Sequence, residues 1–226
     1  MLVDLPKTVK GTHMSRFIEI LNEEKFVLSV KSLPELLHKM MARLNAKYAF
    51  FQAQFTYFVK KSAPVSQAES LMDYDITLSG VTEANKTQVF ATIVIPVTSL
   101  CPCSKQISEY GAHNQRSHVS ITVEAAPNLT LLDIIQLVEK EASCELYGIL
   151  KRTDEKAVTE RAYNNPKFVE DMVRDVASKL TTLRGVLSYK VSSENFESIH
   201  NHSAYAEIDR LSTRKKISYL EKSLEI

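Results

Sequence analysis

Three runs of β-forming residues constrain this chain more than anything else in it: Tyr48 to Lys61, Leu71 to Glu83 and Gln88 to Thr98. Each exceeds ten residues, against roughly 5–6 for an ordinary strand. Tyr74, Ile76 and Leu78 alternate in the second run, and Val89, Ala91, Ile93 and Ile95 share one face of the third. The breaks, at Ala63-Pro64 and from Thr82 to Lys86, are short. Short breaks join antiparallel neighbours, so the runs predict a meander. Strands of this length predict a sheet that is large, curved or continued by a neighbouring subunit.

Around these runs lie helical patterns. Ser32-Leu33-Pro34-Glu35 has capping-box spacing, and Leu33, Leu36, Leu37, Met40, Met41 and Leu44 repeat at three and four, one apolar stripe of a helix. Thr12 to Leu21 is a shorter amphipathic stretch, and Phe26 to Val30 reads as a brief strand or a loop. In the second half His118 to Glu124 alternates as a strand. Thr130 then caps a helix through Ile134, Ile135, Val138 and Ala142 that ends near Glu145, with Cys144 on its face as a small core residue. Asn165-Pro166 predicts the start of the longest helix, carried by Phe168, Val169, Met172, Val173, Val176, Ala177 and Leu180 and closed near Gly185. Val186 to Glu197 and Ala204 to Ser212 read as two last strands, and Ile217, Leu220 and Leu224 as a terminal helix. This order predicts an α+β fold with antiparallel sheets.

Charge narrows the partners. With 28 basic and 27 acidic residues the net charge is +1, which argues against nucleic acid or an anionic membrane as partner. No apolar run reaches membrane-spanning length and no signal-peptide core is present, so the expected compartment is the cytoplasm. Three cysteines in such a chain read as free thiols or metal ligands. Glycine-rich nucleotide motifs are absent.

The stretch from Ser99 to Ser117 is polar and carries Cys101, Cys103 and His113. Thiolate and imidazole are the ligands zinc-like ions prefer. On spacing alone, two small residues at a strand end and a surface histidine are the commoner case, because a lone C-x-C is not a zinc-knuckle or deaminase spacing. Leu150 to Lys156 reads as a solvated loop that can supply a carboxylate from Asp154 or Glu155, with Lys151 and Arg152 free to meet phosphate. His200 and His202 lie at a turn between strands, where a general acid or base can sit. Glu170 is in the first turn of a helix, where the dipole already favours an acid.

Five blocks together resemble the type IB GTP cyclohydrolases: Gly11 to Phe17, Ser99 to Ser117, Lys151 to Lys156, Glu160 to Asp171 and Glu197 to Ala206. The resemblance implies a tunnelling fold of two tandem modules, here 1–112 and 113–226, with four chains around a central tunnel. It also implies conversion of GTP and water to 7,8-dihydroneopterin triphosphate and formate. Cys101, His113 and Glu155 match its metal-binding positions, for one divalent zinc, manganese or iron. Glu170 matches the carboxylate that grips guanine, while Cys103, Glu197 and His200 match catalytic positions. Lys105, Arg116, Lys151, Arg152 and Arg161 are candidates for the triphosphate. Family members carry a further segment before the Gly11 block, so the first module is expected to be short here or the chain a truncated product. Other readings are a different purine or pterin enzyme of the same fold, or a non-catalytic purine-binding module.

Overall fold

The structure, a computed structural model, describes residues 1–5, 7, 11, 14–23, 27–84 and 86–212. Three fifteen-residue strands dominate it: β2 (Tyr48–Ser62), β3 (Glu69–Glu83) and β4 (Lys86–Leu100). At about 3.3 Å per residue each is roughly 50 Å long. The remaining strands are β1 (Leu2–Val3), β5 (Asn114–Ala125), β6 (Cys144–Glu145), β7 (Val186–Asn195) and β8 (Ala204–Arg210). They form one antiparallel sheet in the order β1-β2-β3-β4-β5-β7-β8, with β6 also paired to β4. The sheet runs unbroken across position 112, since β4 pairs with β5 from Phe90↔Glu124 to Leu100↔Asn114.

Helices α1 (Ser15–Asn22), α2 (Leu33–Leu44), α4 (Leu131–Glu141) and α6 (Val169–Thr182) contribute to a single core with one sheet face. Two further helices, α3 (Pro102–Ile107) and α5 (Arg152–Asn164), lie at one end of the sheet. Alternation decides which face is covered. Tyr74, Ile76 and Leu78 of β3, Ala91, Ile93 and Ile95 of β4, and Val119, Ile121 and Val123 of β5 are all buried with the helices. The alternate set, including Thr77, Thr92, Ser120 and Thr122, faces the other way and is mostly polar. No helix among the described residues is long and apolar enough to cross a membrane.

Several local expectations are corrected. Ser32 does precede α2, but its side chain makes no capping bond to the helix; its hydroxyl donates to the Val27 carbonyl at 2.7 Å. Thr130, by contrast, accepts from the Asp133 N–H at 3.2 Å as a helix cap should. Asn165 closes α5 rather than opening α6, because its side-chain amide donates to Ala142 O at 2.7 Å; α6 starts at Val169. Lys151 to Lys156 is not a loop but the start of α5. Cys144 is buried as expected, though on strand β6 rather than a helix. Of the Phe26 to Val30 stretch, the described residues form no strand. Lys10, Thr12, His13, Phe26 and the expected terminal helix lie outside the described residues.

Two glycines are dictated by packing. Gly185, at φ +98°, turns the chain from α6 into β7. Gly80 lets α2 lie against β3, since a Cβ there would stand 2.8 Å from Leu33 Cδ2 and 2.9 Å from Leu37 Cδ1. Both leucines are fully buried, so either can move only by disturbing its own packing. Gly80→Val is therefore expected to destabilise the fold by about 1–3 kcal/mol through overpacking. A urea titration measures it, and an unchanged midpoint would refute this account of the α2 contact.

Candidate functional site

The buried face of the sheet changes character along its length. On β4 it reads Ala91, Ile93, Ile95, Val97 and then Ser99; on β5, from the far end, Val123, Ile121, Val119 and then Ser117 and Gln115; on β7, Tyr189, Val191 and then Ser193 and Asn195. Five polar side chains are thus buried at one end, where the pattern calls for apolar ones. The Ser117 hydroxyl lies 2.7 Å from both Ser99 Oγ and Asn195 Oδ1, and Ser143 Oγ accepts from the Leu100 N–H at 3.1 Å. Burying a polar group costs free energy unless it is hydrogen-bonded, and Ser193 Oγ has no such bond among the described residues, so such a floor marks a place where something other than stability sets the residues.

Cys101 and His113 stand on this floor. Strand β4 ends at Leu100, α3 begins one residue beyond Cys101, and the Cys101 N–H donates to the His113 carbonyl at 3.1 Å. Pro102 at the first helical position forces the turn. Cys101 is the residue before α3, and its Sγ accepts weakly from the Ser104 N–H at 3.5 Å. Cys103 is exposed on the helix. The connection from β7 to β8 also reaches this point: Phe196 N–H donates to Arg116 O at 3.1 Å, and Ser198 Oγ is 3.2 Å from His113 Nδ1. That connection carries Glu197, half-buried, and the exposed His200 and His202, whose rings stack at 5.2 Å.

The α5–α6 connection closes the other side. Lys167 N–H donates to Leu100 O at 3.1 Å, which sets the start of α6, and with it the exposed Glu170, beside the Cys101 turn. Lys105 of α3 lies over the Tyr163 ring at 4.2 Å and donates to the Tyr163 carbonyl. The far end of α5 is anchored by Asp154, which is fully buried. Its carboxylate accepts from Val65 N–H and Ser66 N–H at 2.8 Å, Ser66 Oγ at 2.6 Å and Lys151 N–H at 2.8 Å. Burial alone would raise its pKa, but the bonds from Ser66, Lys151 and Val65 together hold it well below the ordinary aspartate range.

Glu155 is at that far end too, exposed and paired with Arg152 at 2.9 Å. About 12 Å of helix separates it from Tyr163. Lys151 and Arg152 share its position, away from the Cys101 turn along α5. Among the described residues no group of three His, Cys, Asp or Glu side chains is close enough to hold a metal ion. One chain therefore brings together Cys101 and His113, whose thiol and imidazole suit a zinc-like ion, with Cys103, Glu197 and Glu170 on the elements around them. It does not bring Glu155. Arg161, a triphosphate candidate, is committed elsewhere: it donates to Glu145 at 2.6 Å. Arg116 is exposed on β5.

The sequence family described as "Type I GTP cyclohydrolase folE2" matches residues 1–206. "GTP cyclohydrolase FolE2" of Nitrosococcus oceani is 60% identical over 210 residues, 93% of this chain and 79% of that protein. The protein of the same description from Azoarcus sp. is 58% identical over 211 residues, covering 93% and 78%. The chain belongs to the type I GTP cyclohydrolase folE2 family. Among solved structures, uricase from Arthrobacter globiformis superposes with a TM-score of 0.50 at 13% identity, covering 88% of this chain and 76% of that one. A thermostable mutant of the same uricase reaches 0.52 at 12% identity, covering 91% and 77%. At such identity the likeness speaks for the antiparallel sheet with helices layered on one face, and for nothing finer.

Within this folE2 family member the polar floor is what reading the sequence missed. The signal was present: Ser99, Gln115, Ser117, Ser193 and Asn195 all interrupt an inward-facing alternation at positions that the antiparallel register places side by side. A second missed group is a charged cluster between β2, α4, β6 and α5. There Lys61 donates to Glu139 and to Leu146 O at 2.7 Å, Tyr74 OH donates to Glu139 at 2.7 Å, and Tyr147 and Arg161 donate to Glu145. It lines the cleft where β3 and β4 part beyond Asp75↔Val94 and β6 takes over as β4's partner. Burial opposes ionisation of Glu145, but the bonds from Tyr147 and Arg161 prevail and lower its pKa.

Two outcomes test these assignments. Asp154 ionises more readily folded than unfolded, so its contribution is complete above the unfolded value of about 3.9 and is lost as pH falls through the lower folded value. The stability gap between the parent and Asp154→Asn, read from urea titrations, should be widest near neutrality and narrow in acid; a gap independent of pH would show that Asp154 is not held as an anion. Burial, with the Glu145 charge beside it, pushes the Cys144 thiol up to about 12. Alkylation of the folded chain followed by peptide mapping should modify Cys103 and spare Cys144. Equal labelling of the two would contradict the burial of β6.

Proposed function

We propose that this chain catalyses the conversion of GTP and water to 7,8-dihydroneopterin triphosphate and formate, the entry step of folate biosynthesis, in the cytoplasm. The observation that carries the reading is the family match over residues 1–206, together with the convergence of Cys101, His113 and the Glu197–His200 connection on one polar end of the sheet. In this reading the Glu170 carboxylate accepts two hydrogen bonds from the guanine N1–H and exocyclic amine, which orients the purine at the start of α6. His200 is exposed on a short connection and can reach a proton donor or acceptor on the opening imidazole ring. Glu197 and Cys103 flank it as polar neighbours that hold or relay protons.

Cys101 and His113 are two donors for a divalent zinc, manganese or iron, and Glu155 of a second copy is the third. An ion held there would supply Lewis acidity for attack of water at C8 of the purine. Incompleteness of the set in one chain supports an interface site. So do large apolar side chains left exposed around it: Ile107 at 83%, Tyr110 at 99% and Ile199 at 64%. The assembly proposed is a homotetramer around a tunnel lined by the polar sheet face. Its chains each hold two modules, 1–112 and 113–226, a division favoured by helices inserted both before β2 and between β5 and β7. Arg116 and Lys151 are the cations proposed to meet the triphosphate, joined by Lys105 and Arg152 if substrate draws them from Tyr163 and Glu155.

Incubation with GTP and Zn²⁺ or Mn²⁺ should release formate and, after oxidation, a fluorescent pterin. Glu170→Ala should lower kcat/KM by roughly 10- to 100-fold, the worth of charge-assisted hydrogen bonds of about 1.5–3 kcal/mol. Cys101→Ala should lose both bound metal and turnover. A metal-loaded assembly that binds GTP yet releases no formate would instead establish a purine-binding module.

A further inference from the structure

His113 is held at one ring nitrogen by side chains from two separate elements. Gln115 Oε1 lies 3.0 Å from Nδ1, and Ser198 Oγ lies 3.2 Å from the same atom. Gln115 is only 7% exposed and sits on the second residue of β5, opposite Ser99 of β4. It is therefore locked by the sheet rather than resting on the surface. An amide carbonyl oxygen can only accept, so a neutral imidazole that satisfies this contact carries its proton on Nδ1. Its Nε2 then holds a free lone pair.

We propose that Gln115 is a positioning residue, which fixes His113 in the Nδ1–H tautomer and so presents Nε2 as a ready electron-pair donor. The functional consequence, pre-orientation of a metal ligand, rests on the reading of His113 given above; the tautomer itself does not. The choice of amide over carboxylate has a physical sense. A thiolate, a carboxylate and a neutral imidazole together balance a divalent ion, and Gln115 orients the ring without adding a third negative charge beneath it. Ser198 touches the same nitrogen from the connection that bears Glu197 and His200, so the ring also ties that connection to the floor of the site.

The test uses the metal-free chain labelled with ¹⁵N, at a pH well above the ordinary imidazole value of about 6.5, with His113→Ala to assign the ring signals. Long-range proton–nitrogen spectra should show His113 as Nδ1–H in the parent and in Gln115→Glu, which retains an acceptor. In Gln115→Leu the ring should pass largely to Nε2–H. Zinc affinity, measured in competition with a chromophoric chelator, should fall about 10- to 100-fold in Gln115→Leu, the usual cost of losing such a partner, and should recover in Gln115→Glu. A parent spectrum dominated by Nε2–H, or a Gln115→Leu chain with parental tautomer and zinc affinity, would overturn the proposal. If the tautomer follows Gln115 while His113→Ala binds zinc as tightly as the parent, the positioning role holds and it is the ligand reading that fails.

Discussion

Everything in this fold hangs on the hydrogen-bonding of β4. One edge is taken by β3 as far as Asp75↔Val94 and then by β6, while the other is taken by β5 over eleven residue pairs from Phe90 to Leu100. A strand paired on both sides along its length has one buried face and one open face, and cannot slip by a residue without exchanging them. Ala91, Ile93, Ile95 and Val97 thus set where the helix layer must lie, and each large buried aliphatic side chain is worth about 1.5–3 kcal/mol to that choice. The same register delivers Leu100 to the one place where the next residue, Cys101, can bond back to His113.

Much of the architecture was legible because long alternating runs carry a strong signal. The strands β2, β3 and β4 extend the runs read from sequence by a few residues, and the stripe from Leu33 to Leu44 became α2 with its left-handed Asn45 at the end. What was not legible failed for identifiable reasons. Helix α5 buries only Asp154 and Ala162, so it has no apolar period to detect, and its charged residues look like those of a loop. Asn165-Pro166 has the composition of a helix start, but tertiary contact with Ala142 spent the asparagine side chain on the previous helix.

The candidate site is a different case. Its residues came from a family likeness, and the adjacency of Cys101 and His113 follows from a turn that spacing alone did not specify. The position of Glu155 depends on a helix the pattern hid and on a carboxylate, Asp154, that grips the hairpin between β2 and β3 through Val65 and Ser66. Neighbours in sequence, these two acids do opposite work: one is wholly internal and fastens the element, the other points to solvent. A local charge count cannot separate them.

The passage from apolar to polar along the buried sheet face has a consequence for orientation. Ile93, Ile121 and Val191 bind the middle of the sheet to its helices by apolar contact. Past them, the buried Ser117 hydroxyl ties Ser99 and Asn195 together at 2.7 Å. Apolar contact sets how closely two surfaces lie, whereas a hydrogen bond also sets the direction in which its groups point. The end of the sheet beside the Cys101 turn is thus the end whose side chains are aimed as well as packed.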